Sequence, residues 1–369
     1  MIGAGGMAGN WIRHFLPPFF DRMEVVGLVD VSEHVLEEAG ALLGVPAVRR
    51  FTTMAAAFET VEADFCTIVV PPAFHREAVL GAVGRGLAIL SEKPIADTWE
   101  ASLDVCRAVA GAGVKMAVMQ NYRYTAPQLT VRSILRSGDL GRVNYVVGRF
   151  AADYRRHGSW GKAFRHEIPH GLLVEGSVHH FDMLRSLTGQ DCAKLAGWEW
   201  NPPWSSSEGA FNAYYVMEMT GGARTAYEGS GTAAGEQNAW HQEAYRAECE
   251  AGAVTVGRDR IVRVHRFTRG KGLVTEEVPA VATPFDAHTR YSGHAWVVDA
   301  FLKWLDGGPP PETTLEDNIQ TTAILFGAIE ASRTSQVVDV QRFLRAGMGG
   351  APGRNGAALA GAAAMGTGD

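Results

Sequence analysis

The sequence predicts an α/β chain of two domains, a parallel-sheet domain over residues 1–120 and an α+β domain with an open, largely antiparallel sheet over residues 121–345. Up to about residue 120, short β-branched runs alternate with amphipathic stretches long enough to be crossover helices, as βαβ units require. Beyond residue 121, strand signals follow one another mostly through turns, which is how antiparallel neighbours are joined. With 369 residues, 46 % of them hydrophobic, the chain can bury two cores.

Candidate parallel strands are MEVVGLVD (23–30), DFCTIVV (64–70), LAILSE (87–92) and KMAVMQ (115–120). Helices are expected between them over 33–43, 74–85 and 98–111. A helix over 126–137 then leads into a long alternating strand, RVNYVVGRFAADYR (142–155), and further strands are expected at 211–219, 223–230, 253–256, 260–267 and 273–278. Two late helices, 292–305 and 316–333, are separated by the breaker DGGPPPE. From residue 346 to 369 the chain is Gly/Ala-rich, holds little bulky apolar surface and is expected to be a disordered tail.

Charge narrows the partners. A net charge of −6 from 34 basic and 40 acidic residues, with no long run of either sign, leaves no electrostatic footprint for nucleic acid or an anionic membrane. A small-molecule partner is expected instead. Cys66, Cys106, Cys192 and Cys249 form no CxxC pair, which fits a reducing compartment. No apolar stretch approaches the ~18–20 residues needed to span a bilayer, and there is no leader-like n- and h-region. A cytoplasmic, soluble protein is the expectation.

The first chemical motif is IGAGGMAG, which spaces Gly3, Gly5 and Ala8 as G-x-G-x-x-A. Such a turn lets backbone approach a pyrophosphate seated on the N-terminal N–H groups of the next helix, although a Gly-rich surface turn reads the same way. Asp30, at the end of the next candidate strand, supplies the carboxylate that accepts from the adenosine ribose hydroxyls and repels a 2′-phosphate. NAD is therefore expected over NADP. Only Met1 and Ile2 precede Gly3 to form the first strand. The second motif, SEKPIADT (91–98), sets Lys93 at the carboxyl end of a strand, facing the crevice of a parallel sheet, where its ammonium can steady a substrate oxygen. The third, LLVEGSVHHFD (172–182), holds Glu175, His179, His180 and Asp182 in an otherwise apolar segment.

Taken in order, Gly3-x-Gly5-x-x-Ala8, Asp30, Glu92-Lys93-Pro94, QNYRY (120–124) and EGSVHHFD resemble the glucose–fructose oxidoreductase, inositol dehydrogenase and MocA family over about residues 1–340. The resemblance implies an N-terminal Rossmann dinucleotide-binding domain and a C-terminal α+β domain whose open sheet builds a homo-oligomer, a dimer or tetramer. It also implies NAD(P)-dependent oxidation or reduction at a secondary alcohol of a sugar, cyclitol or sugar acid. Lys93 then falls on the family's active-site lysine, Pro94 on the proline shaping the nicotinamide pocket, and His179 on the catalytic histidine of D-x-G-x-H-x-x-D. This chain departs from that pattern at Glu175, where Asp is commoner, and at Ser177, where Gly is. Glutamate carries its carboxylate about an ångström or more further out, which can mark a different substrate.

Candidate cofactor-binding residues are Gly3, Gly5, Gly6, Met7, Ala8 and Asp30 in the first βαβ unit. To these are added Val70, Pro71, Pro72 and His75, then Glu92, Lys93, Pro94 and Gln120. The candidate catalytic residues are Lys93, His179 and Glu175. If the segment is helical from about residue 175, then Glu175, His179 and Asp182 share one face, with His180 turned ~100° away towards packing or the pocket wall. His179 is read as a general base, against a structural histidine or a metal ligand; Asp182 as a structural carboxylate. No metal is expected, since no third ligand converges. Candidate substrate-binding residues are Asn121, Arg123 and His180, with Tyr154, Arg156, Trp160, Arg165 and His166 in an Arg/His/aromatic loop leading to the helix. Trp198 and Trp200 are read as sheet packing rather than sugar stacking. Two alternatives stay open: a glycosidase that retains NAD and oxidises transiently, and a non-catalytic NAD-binding regulator.

Overall fold

The computed structural model describes residues 1–161, 163–278 and 291–349. Its first sheet is built from short parallel pieces: β1 (Leu28–Val29), β2 (Arg50–Phe51), β3 (Phe65–Ile68), β4 (Ala88–Ser91) and β5 (Met116–Val118). Ile2 bridges Val29 on one side and Ile68 on the other, β1 pairs with β2, and β3, β4 and β5 pair in succession. The order is therefore β2-β1-Ile2-β3-β4-β5, and its progression reverses between Ile2 and β3. At such a reversal an open parallel sheet has its ligand crevice, outside the carboxyl ends of the strands.

The crossovers are α1 (Gly6–Asn10), α2 (Glu33–Leu43), α3 (Met54–Thr60), α4 (His75–Gly84) and α5 (Trp99–Ala112). Ser32, Thr53 and Thr98 cap α2, α3 and α5, each side-chain oxygen accepting an orphan backbone N–H of the first turn. The strand expected over 23–30 is only Leu28–Val29. Strands extend no further than they are paired, and here the neighbours are Ile2 and the two residues of β2.

The second sheet has nine strands: β6 (Val143–Ala151), β7 (Cys192–Trp200), β8 (Asn212–Met219), β9 (Arg224–Ser230), β10 (Ala244–Cys249), β11 (Gly252–Val256), β12 (Val262–Thr268), β13 (Gly272–Val278) and β14 (Val338–Asp339). Their order is β13-β12-β11-β10-β6-β9-β8-β7-β14. Of the pairings only β6–β9 is parallel. The remaining helices are α6 (Ala126–Arg136), α7 (Phe164–Glu167), α8 (Val178–Thr188), α9 (Gly293–Leu305), α10 (Leu315–Thr334) and α11 (Val340–Gly347). Helices α6, α8 and α10 cover one face of the sheet. The other face is open and carries Trp198 (58 % exposed), Trp200, Tyr214 and Val216. Period-two spacing sets the two tryptophans on one side of β7, as the sequence suggested, and that side is the outer face of the sheet.

α9 does not stay with the second sheet. Val297, Val298, Phe301 and Leu302 share a core with Trp11, Leu16, Val69, Leu90 and Met119 of the first. Helix α11 runs to Gly347, two residues into the stretch expected to be tail; residues 350–369 lie outside the described residues.

Candidate functional site

The glycine turn sits at the reversal. Gly3 has φ +91°, and a Cβ there would stand 2.1 Å from the Val69 carbonyl oxygen, so only glycine allows the turn to cross the end of β3. A groove runs along Gly5, Gly6, Gly9 and Val35. Asp30 holds the turn: Oδ2 accepts from Ala4 N (2.9 Å) and Gly5 N (3.1 Å), and Oδ1 from Ser32 N (3.0 Å). A carboxylate has about four acceptor positions, so Asp30 shapes the turn and keeps capacity for a hydroxyl. These features fit a dinucleotide: a backbone cradle that a side chain would fill, and a fixed anion where a ribose would lie. Val70 and Pro71 continue from β3 into the crevice, Pro72 being buried, and Met7 stands exposed beside the turn.

Two predicted cofactor contacts have other partners in the structure. His75 is fully buried, with Nδ1 2.8 Å from the Pro94 carbonyl oxygen and Nε2 2.9 Å from that of Val70. It lies between the β3 and β4 ends, and because burial lowers its pKa and a neutral ring has one N–H, it donates to one of the two carbonyl groups. Glu92 is also buried; its Oε1 accepts from Trp11 Nε1 (2.9 Å) and its Oε2 from the Lys93 backbone N–H. Burial pushes its carboxyl pKa up. The Lys93–Pro94 peptide is cis.

The Glu175 segment differs most from its helical reading. Residues Leu173–Ser177 form a π-turn, with α-helical residues 171–172 before it and α8 resuming at Val178. The wider turn breaks the assumed 3.6-residue phase, a deviation common at functional sites. Lys93 Nζ donates to the Glu175 carbonyl oxygen (3.0 Å), while the Glu175 carboxylate accepts from Arg165 Nε (2.9 Å). Burial alone pushes the Glu175 carboxyl up, but Lys93 and Arg165 outweigh it and hold it below its ordinary value. His179, 6 % exposed, places Nδ1 3.0 Å from Gln120 Oε1 and stacks on Tyr122 at 4.2 Å between ring centroids, nearly parallel. Burial, then Lys93 and the neighbouring His180, His241 and His294, push its pKa well below the ordinary 6.5. Asp182 turns away from both. Glu175, His179 and Asp182 thus take three different partners rather than working along one face.

Several substrate candidates are also committed elsewhere. Arg123 donates through Nε and Nη2 to Asp182 (2.6 Å each), through Nη2 to Asp317 and through Nη1 to the Glu312 carbonyl oxygen, so its donors point into the protein. His166 is hydrogen-bonded to Ser207 Oγ and accepts from the Trp160 N–H, so both its ring nitrogens are taken. His180 bonds Tyr227 OH through Nδ1 (2.7 Å) and packs among Phe150, Tyr122 and Trp240, the wall position its spacing suggested. Trp160 is buried, stacked on Tyr154 and Trp240. Arg165 stays at the site through Glu175, Arg156 is exposed, and Asn121 is buried with an unpartnered Nδ2. Residues that the sequence reading missed are Trp11 and His294 beside Glu92, and Trp240 and His241, the latter tilted against the Tyr122 ring at 4.4 Å between centroids. The visible signal for the last two was NAWHQ, an aromatic–histidine pair in a polar, turn-rich stretch. Among the described residues no group of three or more His, Cys, Asp or Glu converges to hold a metal.

Comparison with known proteins agrees with this geometry. The model of an oxidoreductase family with an NAD-binding Rossmann fold matches residues 1–120, and that of the GFO/IDH/MocA C-terminal domain matches residues 128–255. The chain is 40 % identical over 354 residues to the protein y4oX of Sinorhizobium fredii, covering 93 % of this chain and 96 % of that protein. It is 30 % identical to an inositol 2-dehydrogenase of Streptomyces avermitilis over 263 residues, 70 % of this chain and 71 % of the relative. Among solved structures, an Agrobacterium radiobacter oxidoreductase crystallised with NAD+, L-tartaric acid and magnesium has the same fold. It superposes with a TM-score of 0.79 at 20 % identity, covering 92 % of this chain and 97 % of that one. The protein is an NAD-binding dehydrogenase, and the chain belongs to the GFO/IDH/MocA oxidoreductase family.

Proposed function

We propose that the protein moves a hydride between a secondary alcohol of a sugar, cyclitol or sugar acid and the nicotinamide of NAD, with His179 as general base. The observation that carries this reading is the convergence of Lys93 and His179 on the π-turn, one reaching it from β4 and the other leaving it. Bound NAD supplies the hydride acceptor. In the oxidative direction the hydroxyl proton passes to neutral His179 while the carbinol C–H bond gives up its electron pair, leaving a carbonyl. Lys93 uses one N–H on Glu175 and keeps two, which steady the substrate oxygen as it gains negative character. Glu175 assists by holding Lys93 through its carbonyl group and Arg165 through its carboxylate. The named relatives include inositol and D-apiose dehydrogenases, which supports a polyol-like substrate.

We further assign residues 1–120 to the dinucleotide and 121–345 to substrate and self-association through the outer sheet face, in a reducing cytoplasm suited to four free thiols. The test of the chemistry is a screen of sugars, polyols and their acids with NAD and NADP, read by absorbance of the reduced cofactor. Turnover is expected with NAD and is expected to fall about a hundredfold or more in both Lys93→Ala and His179→Ala. Full activity in either variant removes that residue from its role.

A further inference from the structure

Gln120 sits at the carboxyl end of β5, next to the turn that carries Lys93, since the Met119 N–H donates to the Ser91 carbonyl oxygen. It is fully buried, and its Oε1 lies 3.0 Å from His179 Nδ1. A carboxamide oxygen only accepts hydrogen bonds, so with the amide in this orientation Nδ1 carries the proton. We propose that Gln120 is a positioning residue which fixes His179 in the Nδ1–H form, leaving Nε2 as the one basic atom of the ring. This rests on the reading of His179 as the base, and says which nitrogen does the work and what holds it there.

The surroundings leave the choice of tautomer to Gln120. Tyr122 lies parallel to the imidazole and fixes its plane. The charged or titratable groups that face it are Lys93 from the β4 loop, His180 from its own helix, His241 from the segment before β10 and His294 from α9. Among the described residues none of these is hydrogen-bonded to His179, and His180 is already bonded to Tyr227. With burial keeping the ring neutral, a proton on Nδ1 means a lone pair on Nε2. The other half of the amide carries a second message. Gln120 Nε2 is buried and has no partner among the described residues, and a buried donor is costly unless something accepts from it. Turning the amide over would let Nε2 donate to His179 Nδ1 and would force the ring proton onto Nε2, which removes the base. An acceptor on bound NAD that met Nε2 would lock the amide in the productive sense and would couple cofactor binding to the tautomer through one side chain.

The experiment uses the full-length protein, with and without NAD, and the variants Gln120→Leu and Gln120→Glu. In ¹⁵N spectra of histidine-labelled wild type, with His179 signals identified by their loss in His179→Ala, NAD is expected to give a protonated Nδ1 and a bare Nε2. Gln120→Leu is expected to give a mixture of the two forms and a kcat about tenfold lower. Gln120→Glu sets a carboxylate against Nδ1–H and is expected to move the acid limb of kcat/KM up by about one pH unit or more, which a merely structural role would not do. A proton on Nε2 in the NAD-bound wild type overturns the assignment, as does an acid limb that stays in place in Gln120→Glu. If His179→Ala keeps its turnover while the spectrum still reports Nδ1–H, it is the general-base reading that fails and the tautomer assignment that stands.

Discussion

Asp182 and Arg123 meet with no water between them: the carboxylate is fully buried and the guanidinium side chain 5 % exposed. A buried ion pair gains little over apolar packing, but removing one partner strands the other charge, at a cost of about 3–5 kcal/mol. Arg123→Ala and Asp182→Asn are therefore expected to lower unfolding stability by about that much in urea titration. The arginine's further bonds to Asp317 and Glu312 make it the costlier loss. A change of less than about 1 kcal/mol in both would mean that the pair is not buried as described. At this scale the sequence told residue types well and partners badly. Arg123 beside an aromatic motif looked like a substrate contact because its acceptors lie far along the chain, up to 194 residues away. His75 likewise looked available because nothing in the primary structure announces that two carbonyl groups will face its ring.

Long elements were legible and short or irregular ones were not. The helix read over 33–43 is α2 to the residue, and α4, α5, α6, α9 and α10 lie within a residue or two of their expected ends; Ser32, Thr98 and Thr314 cap α2, α5 and α10 and leave their starts little freedom. β1 and β2 escape that logic because two-residue strands have no period. The π-turn escapes it because a regular helix was assumed where Glu175 starts. The outer sheet face is an element with an unmet demand. Trp198 lies opposite Tyr214 in the β7–β8 register, with Trp200 and Val216 nearby, all exposed on one strand pair. Contiguous apolar patches of this kind mark association surfaces. In solution the protein is expected to be a dimer or tetramer, and Trp198→Glu with Val216→Glu is expected to reduce its light-scattering mass to that of one chain. A wild type that runs as a monomer would sink that reading.

For the whole molecule, acid is the weak direction. His179 is held well below the ordinary 6.5 and His294 is pushed down to about 3, both chiefly by burial. The unfolded chain takes up their protons near pH 6.5 while the folded one does not, so stability is complete above that value and is lost as pH falls below it. Glu175 adds a second loss below about pH 4.5, because its folded carboxyl titrates lower than its unfolded one. The thermal unfolding midpoint is expected to decline on acidification below 6.5. A midpoint unchanged down to about pH 5 would contradict it. In the same range kcat/KM should hold, because a base with a depressed pKa keeps its lone pair below pH 6.5.

The return of α9 to the first sheet bears on inheritance as much as on folding. A nucleotide-binding unit that ended at residue 120 could be exchanged among proteins like a cassette. Here Trp11, Leu16, Val69, Leu90 and Met119 would be left facing water unless Phe301 and its neighbours travelled with them. The gene segment that can be shuffled intact is thus longer than the segment that binds the cofactor. Selection on the far end of the chain reaches the dinucleotide crevice through α9, whose His294 stands beside Glu92.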